Sequence, residues 1–166
     1  ALGSGATCSA SNKVRIGNAT ITVVEGQVAY SFPSDGRFKY NVQENVPGLS
    51  FIEKLRPVTY QFDIAKFNAF IQPAGQEASD TEITNRESQS IQSGFIAQEV
   101  EQASADIEYD FHGVVKPQNE KDNYGLRYSE FVVPLVKAVQ ELSEENKELK
   151  LRLDEMESKM KELMSG

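Results

Sequence analysis

From Leu135 to Leu163 the chain repeats at alternating steps of four and three: Leu135, Val139, Leu142, Asn146, Leu149, Leu153, Met156, Met160 and Leu163. This unbroken heptad seam, with charge on the remaining faces, constrains the fold more than any other feature. A stripe two positions wide per heptad is narrower than the face a helix uses to dock on its own domain. The pattern therefore predicts a coiled-coil helix over residues 129–164. Ser129 is placed as its cap. Pro134 must lie near the first turn or mark a kink, because deeper in a helix it deletes a backbone hydrogen bond. Asn146 occupies an a position, where a buried amide penalises shifted registers. The seam alone does not fix the number of strands, since β-branched residues are few and an a-position Asn often accompanies dimers.

The remainder divides by texture. Residues 1–33 are rich in Gly, Ala, Ser and Thr, with β-branched runs such as Ile21-Thr22-Val23-Val24. They predict short strands and turns with too little bulk for a core, more stable when wound with copies of themselves. The opening Ala1-Leu2-Gly3-Ser4-Gly5 reads as the middle of a longer polypeptide. Residues 34–128 read as globular. Leu49, Phe51, Ile52 and Leu55 give a helix-like or mixed pattern, Pro57 to Phe62 alternates like a strand, and Ala65 to Ile71 reads as a short helix. Residues 72–93 are polar and read as a surface excursion. Gly94 to Glu101 runs from a turn into a strand or helix. Val114-Val115 and Tyr124 to Tyr128 read as strands. The fold class expected is α+β: a short N-terminal β-stalk segment (1–33), a small mixed globular domain (34–128) and a long C-terminal helix (129–166).

Charge and composition narrow the function classes. A formal net charge of −8 argues against a phosphate-backbone partner, which requires a basic face. No apolar run reaches membrane-spanning length. Cys8 is the single cysteine, so neither an internal disulfide nor a cysteine metal cluster is expected, and the residue reads as small and semi-buried. No phosphate loop, paired acids or metal-ligand spacing stands out, and no cofactor or metal is expected. His112, the single histidine, reads as a surface or structural residue.

The segment Ser34-Asp35-Gly36-Arg37-Phe38-Lys39-Tyr40-Asn41-Val42 stands where the Gly-rich texture gives way to the globular one. Ser34 and Lys39 are five apart across a Gly that permits a tight turn. A serine hydroxyl is a poor nucleophile until a base takes its proton, and serine–lysine pairs are one alternative to the histidine triad. Taken by themselves these residues also read as an ordinary Ser-Asp-Gly turn, with Arg37 and Lys39 on a solvated strand edge.

A resemblance over most of the chain bears on that choice. Ser34 to Val42 resembles the opening signature of the intramolecular chaperone auto-processing domains. These close phage endosialidases, tail fibres and neck appendages, and occur in myelin regulatory factor. Gly48-Leu49-Ser50-Phe51-Ile52-Glu53-Lys54-Leu55-Arg56-Pro57-Val58-Thr59-Tyr60 resembles the following block, Gly94-Phe95-Ile96-Ala97-Gln98-Glu99-Val100 the next, and Tyr128 to Leu142 the start of the terminal helix. The resemblance implies a homotrimer, an upstream β-stalk of the same polypeptide as folding client, and autoproteolysis before the motif serine. The scissile bond would be Pro33–Ser34, Ser34 the nucleophile and Lys39 the base. Phe38 departs from the family's more frequent Leu, which bears on packing. The Pro33 ring restricts how the scissile carbonyl is presented, which bears on rate. The implied location is a phage tail fibre or tailspike, with a bacterial cell surface as the alternative, since residues 1–18 loosely resemble head repeats of trimeric adhesins. Two other readings stand beside it: a trimeric assembly tip that does not cut, and a receptor-binding tip that uses residues 72–93.

Overall fold

The computed structural model describes residues 2–3, 6–18, 21–71 and 90–165. Among them the chain is mixed α/β, with small sheets and one long C-terminal helix. The elements run α1 (Leu49–Ile52), β1 (Val58–Gln61), α2 (Ile64–Ile71), β2 (Ile91–Gly94), α3 (Ala97–Ala105), β3 (Val114–Val115), β4 (Gly125–Leu126) and α4 (Val132–Ser165). They form two compact units. One comprises Ala1–Val42, Pro57–Ala97 and Val115–Gly125; the other comprises Gln43–Arg56, Gln98–Val114 and Leu126–Gly166.

The second unit is built on an aromatic core. Phe51 of α1 is fully buried, with Phe111 and Phe131 4–7% exposed beside it. The Phe51 ring lies 4.8 Å from Phe111, 5.3 Å from Tyr109 and 6.5 Å from Phe131, in tilted, edge-on and stacked arrangements. Such pairs add about 0.5–1.5 kcal/mol each beyond their area burial. Val100 and Ala103 of α3 complete the core. Burial in this cluster also pushes the Tyr109 hydroxyl above its ordinary pKa.

A four-residue helix cannot hold itself together. Instead α1 is fastened to α4. Gly48 precedes it without a side-chain cap, and the Glu141 carboxylate accepts the Leu49 N–H at 2.8 Å. The approach is close enough to exclude any side chain at Gly48. A Cβ there would lie 2.7 Å from the Ala138 backbone nitrogen and overlap the Glu141 carboxylate. Gly48→Ala is therefore expected to destabilise this unit by about 1–3 kcal/mol through overpacking. A denaturant midpoint unchanged from the parent would contradict the tight α1–α4 contact.

The terminal helix has 34 residues and follows a 3-10 turn at Tyr128–Phe131. Ser129 lies inside that turn and offers its main-chain carbonyl to the Val132 N–H, so it is not the side-chain cap expected. Pro134 is the third residue of α4 and is buried, in the first turn as the sequence required. Pro134 and Ala138 pack inward, while the seam does not. Val139, Leu149, Leu153, Met156, Met160 and Leu163 are 56–84% exposed. The start of α4 thus docks on its own unit through one stripe and leaves the heptad stripe uncovered.

In the other unit β1 and β2 pair antiparallel, with Val58 opposite Gly94 and Gln61 opposite Ile91. Ile91 to Ser93 are therefore strand and not part of a surface excursion; residues 72–89 of that expected excursion lie outside the described residues. The Asp63 carboxylate caps α2 by accepting the Lys66 N–H at 2.8 Å. A short ladder joins β3 and β4 at the base of the 116–124 loop. Within residues 1–33 the described residues form no named strand; the one ladder contact is an isolated parallel bridge between Leu2 and Ile16. Val23, Val24, Val28, Tyr30 and Phe32 are 59–84% exposed. A strand requires a neighbour, and among the described residues no named strand pairs with this segment. Cys8 is exposed and not semi-buried, and its thiol contacts the Lys13 carbonyl at 3.3 Å.

Candidate functional site

Residues 34–39 form a small, self-contained turn. Gly36–Phe38 is a 3-10 turn capped by Asp35, whose carboxylate accepts the Arg37 N–H at 2.9 Å. The Phe38 N–H reaches the Asp35 carbonyl at 3.1 Å and the Lys39 N–H the Gly36 carbonyl at 3.2 Å. These bonds bring the two ends of the segment together. The Lys39 Nζ donates to the Ser34 Oγ at 2.7 Å.

Two further residues of the turn pair with each other. The Arg37 guanidinium forks onto the Asp35 carboxylate, with Nε at 3.1 and 2.9 Å from its two oxygens. Arg37 holds the Asp35 carboxyl below the usual carboxylate range, first through its side chain and then through its backbone N–H. Asp35 is thus engaged by Arg37, while the Lys39 nitrogen contacts Ser34. Both Ser34 and Lys39 are exposed, as are Phe38 (79%) and Tyr40 (86%). Gly36 is not needed for its conformational freedom, contrary to expectation. It is absent from the positive-φ glycines, and a Cβ there would meet nothing within 4 Å.

The sequence reading did not single out the Asp35–Arg37 fork. Its signal was the i, i+2 spacing of acid and base around an Asx cap. His112 is exposed and lies 3.5 Å from Glu130. Among the described residues no cluster of three or more His, Cys, Asp or Glu could hold a metal ion. No described helix is long and apolar enough to cross a membrane.

Chemically, the contact sets a hydroxyl, the side chain of a nucleophile, against a lysine nitrogen, the side chain of a base. A peptidase family model described as chaperone of endosialidase matches residues 34–113, just under half of the chain. It begins at Ser34 itself and takes in α1, β1, α2, β2 and α3. No curated protein matches the chain. Residues 34–113, which open on the Ser34–Lys39 pair and carry three of the motifs, Ser34 to Val42, Gly48 to Tyr60 and Gly94 to Val100, are similar to the chaperone-of-endosialidase family.

Proposed function

We propose that the chain is a C-terminal intramolecular chaperone that trimerises, aligns an upstream β-rich stalk and then cuts itself free between Pro33 and Ser34. Residues 1–33 would be the end of the stalk, 34–128 the chaperone domain and 129–166 the coiled-coil helix. The client would be a phage tail fibre or tailspike. The observation that carries the reading is the 2.7 Å contact between Lys39 Nζ and Ser34 Oγ at the first residue of the family match.

The chemistry follows from the atoms present. As a neutral amine, Lys39 takes the hydroxyl proton while the Ser34 Oγ attacks the Pro33 carbonyl carbon. The tetrahedral oxyanion collapses, the bond to the Ser34 nitrogen breaks, and that nitrogen takes up the proton. An ester joins Pro33 to the Ser34 Oγ. Water then hydrolyses the ester, leaving a Pro33 carboxylate and a free amine on Ser34. Edman sequencing of the larger product is expected to begin Ser-Asp-Gly-Arg; any other start would place the cut elsewhere.

The uncovered seam supports assembly. Apolar side chains from Val139 to Leu163 lose contact with water only if other helices complete the bundle. The number three rests on the family. Light scattering on the Ser34→Ala chain is expected to give three times 18.5 kDa. A mass of one or two chains at micromolar concentration would contradict the trimer. A trimeric tip that does not cut is the second reading, favoured by the openness of Ser34 and Lys39 to water in the single chain. The receptor-binding reading rests on residues 72–89, which lie outside the described residues, together with 90–93.

A further inference from the structure

Asp122 is the most deeply buried charged residue of the described chain, at 4% exposure, and it lies outside the segment that matches the family. Its two carboxylate oxygens have separate tasks. Oδ2 accepts the Gln118 N–H at 3.1 Å and so belongs to its own loop. Oδ1 accepts the Ser9 hydroxyl at 2.9 Å and the Lys13 ammonium, both more than a hundred residues upstream. Around it, Asn119 Nδ2 donates to the Ser9 carbonyl at 2.8 Å and the Arg15 guanidinium donates to Asn123 Oδ1 at 3.2 Å.

Both sides are shaped for this contact. The loop is pre-organised by the Asp122 N–H to Asn119 carbonyl bond at 3.1 Å and the Lys121 N–H to Asn119 Oδ1 bond at 2.9 Å. In the upstream segment Asn12 adopts a left-handed conformation at φ 54°, which Asn tolerates better than most residues. That turn lets Ser9 and Lys13 reach one carboxylate oxygen. The contact from Lys13, joined by the Gln118 N–H and the Ser9 hydroxyl, holds the Asp122 carboxyl far below the usual carboxylate range.

We propose that loop 118–123 is a docking site for the chain's own segment Ser9–Arg15. We further infer that this clasp keeps the N-terminal piece attached after the Pro33–Ser34 bond opens, which rests on the cleavage reading above. All the residues of the clasp lie in the same compact unit, and the bonds across it bypass residue 33 altogether. Cutting the backbone at Pro33–Ser34 removes none of them. The domain would then release its client in two steps, hydrolysis first and unclasping second.

Two arms test this. In the uncut Ser34→Ala chain, hydrogen exchange is read over residues 6–18 and 115–125. Adding Lys13→Met, which leaves the loop sequence untouched, is expected to speed exchange in the loop by roughly tenfold, the factor given by about 1.4 kcal/mol of lost contact. Adding Asp122→Ala should do the same in the upstream segment. Unchanged exchange in the opposite partner for both variants overturns the docking site. In the parent chain, native mass spectrometry after processing should find residues 1–33 bound to the remainder, and Lys13→Met should release them. A parent chain whose pieces separate on cutting overturns the retention. A parent chain that is never cut defeats the cleavage reading and leaves the exchange arm to decide the clasp.

Discussion

Lys39→Arg is expected to abolish cutting at Pro33–Ser34 while leaving the chain folded and assembled. Arginine keeps the positive charge and the reach, and would still donate to the Ser34 Oγ that Lys39 Nζ contacts at 2.7 Å. A guanidinium cannot give up its proton at any working pH, so it cannot accept the one on the hydroxyl. General-base assistance contributes roughly 10²–10⁴-fold, and the rate should fall by that much or more. Ser34→Ala should fall to background, because the attacking oxygen is gone. Neither change threatens the fold. The pair lies on an exposed turn held by Asp35 and main-chain bonds, where substitutions alter stability by about 0.5 kcal/mol or less. The measurement is the fraction cleaved with time for each variant. Parent-rate cutting by Lys39→Arg would mean that Lys39 is not the base, whatever becomes of the fold assignment.

Removing residues 143–166 should cost assembly and cleavage together. This truncation discards Asn146, Leu149, Leu153, Met156, Met160 and Leu163 of the seam but keeps what the second unit needs from α4. Pro134 and Ala138 remain in its core, and Glu141 still accepts the Leu49 N–H. A deletion from residue 140 would also remove Glu141 and confuse loss of the trimer with loss of the α1 cap. The shorter chain should stay folded by near-ultraviolet circular dichroism, sediment as a monomer and remain uncut. The reason is exposure. Ser34, Phe38, Lys39 and Tyr40 all face water in the single chain, and a base works best where neighbouring chains exclude water. A monomeric truncation that cuts at the parent rate would show that assembly is not the trigger.

Much of this was legible because it was local and periodic. The heptad steps from Leu135 to Leu163 carry their own period, and α4 follows them, its seam left uncovered. The alternation over Pro57 to Phe62 and the run from Ala65 to Ile71 marked β1 and α2 for the same reason. The five-residue spacing of Ser34 and Lys39 marked a candidate pair, and one turn closes it. Long-range features left no such trace. Nothing in Tyr109 or Phe111 signals that they meet Phe51, because that core is assembled from segments sixty residues apart. Asp122 reads as one acid in a polar loop until Ser9 and Lys13 are folded against it. The described residues of 1–33 form no named strand, because β-branched runs propose a strand, whereas only a partner makes one.

The central claim is that this chain hydrolyses its own backbone after Pro33, and intact mass under denaturing conditions addresses it directly. Refolded parent chain, sampled over hours beside Ser34→Ala, is expected to resolve into residues 1–33 and residues 34–166. Their masses should sum to that of the full chain plus one water. The Ser34→Ala sample should stay whole. A parent sample that remains a single full-length 18.5 kDa species after it has folded and trimerised would contradict the account and favour an assembly tip that does not cut.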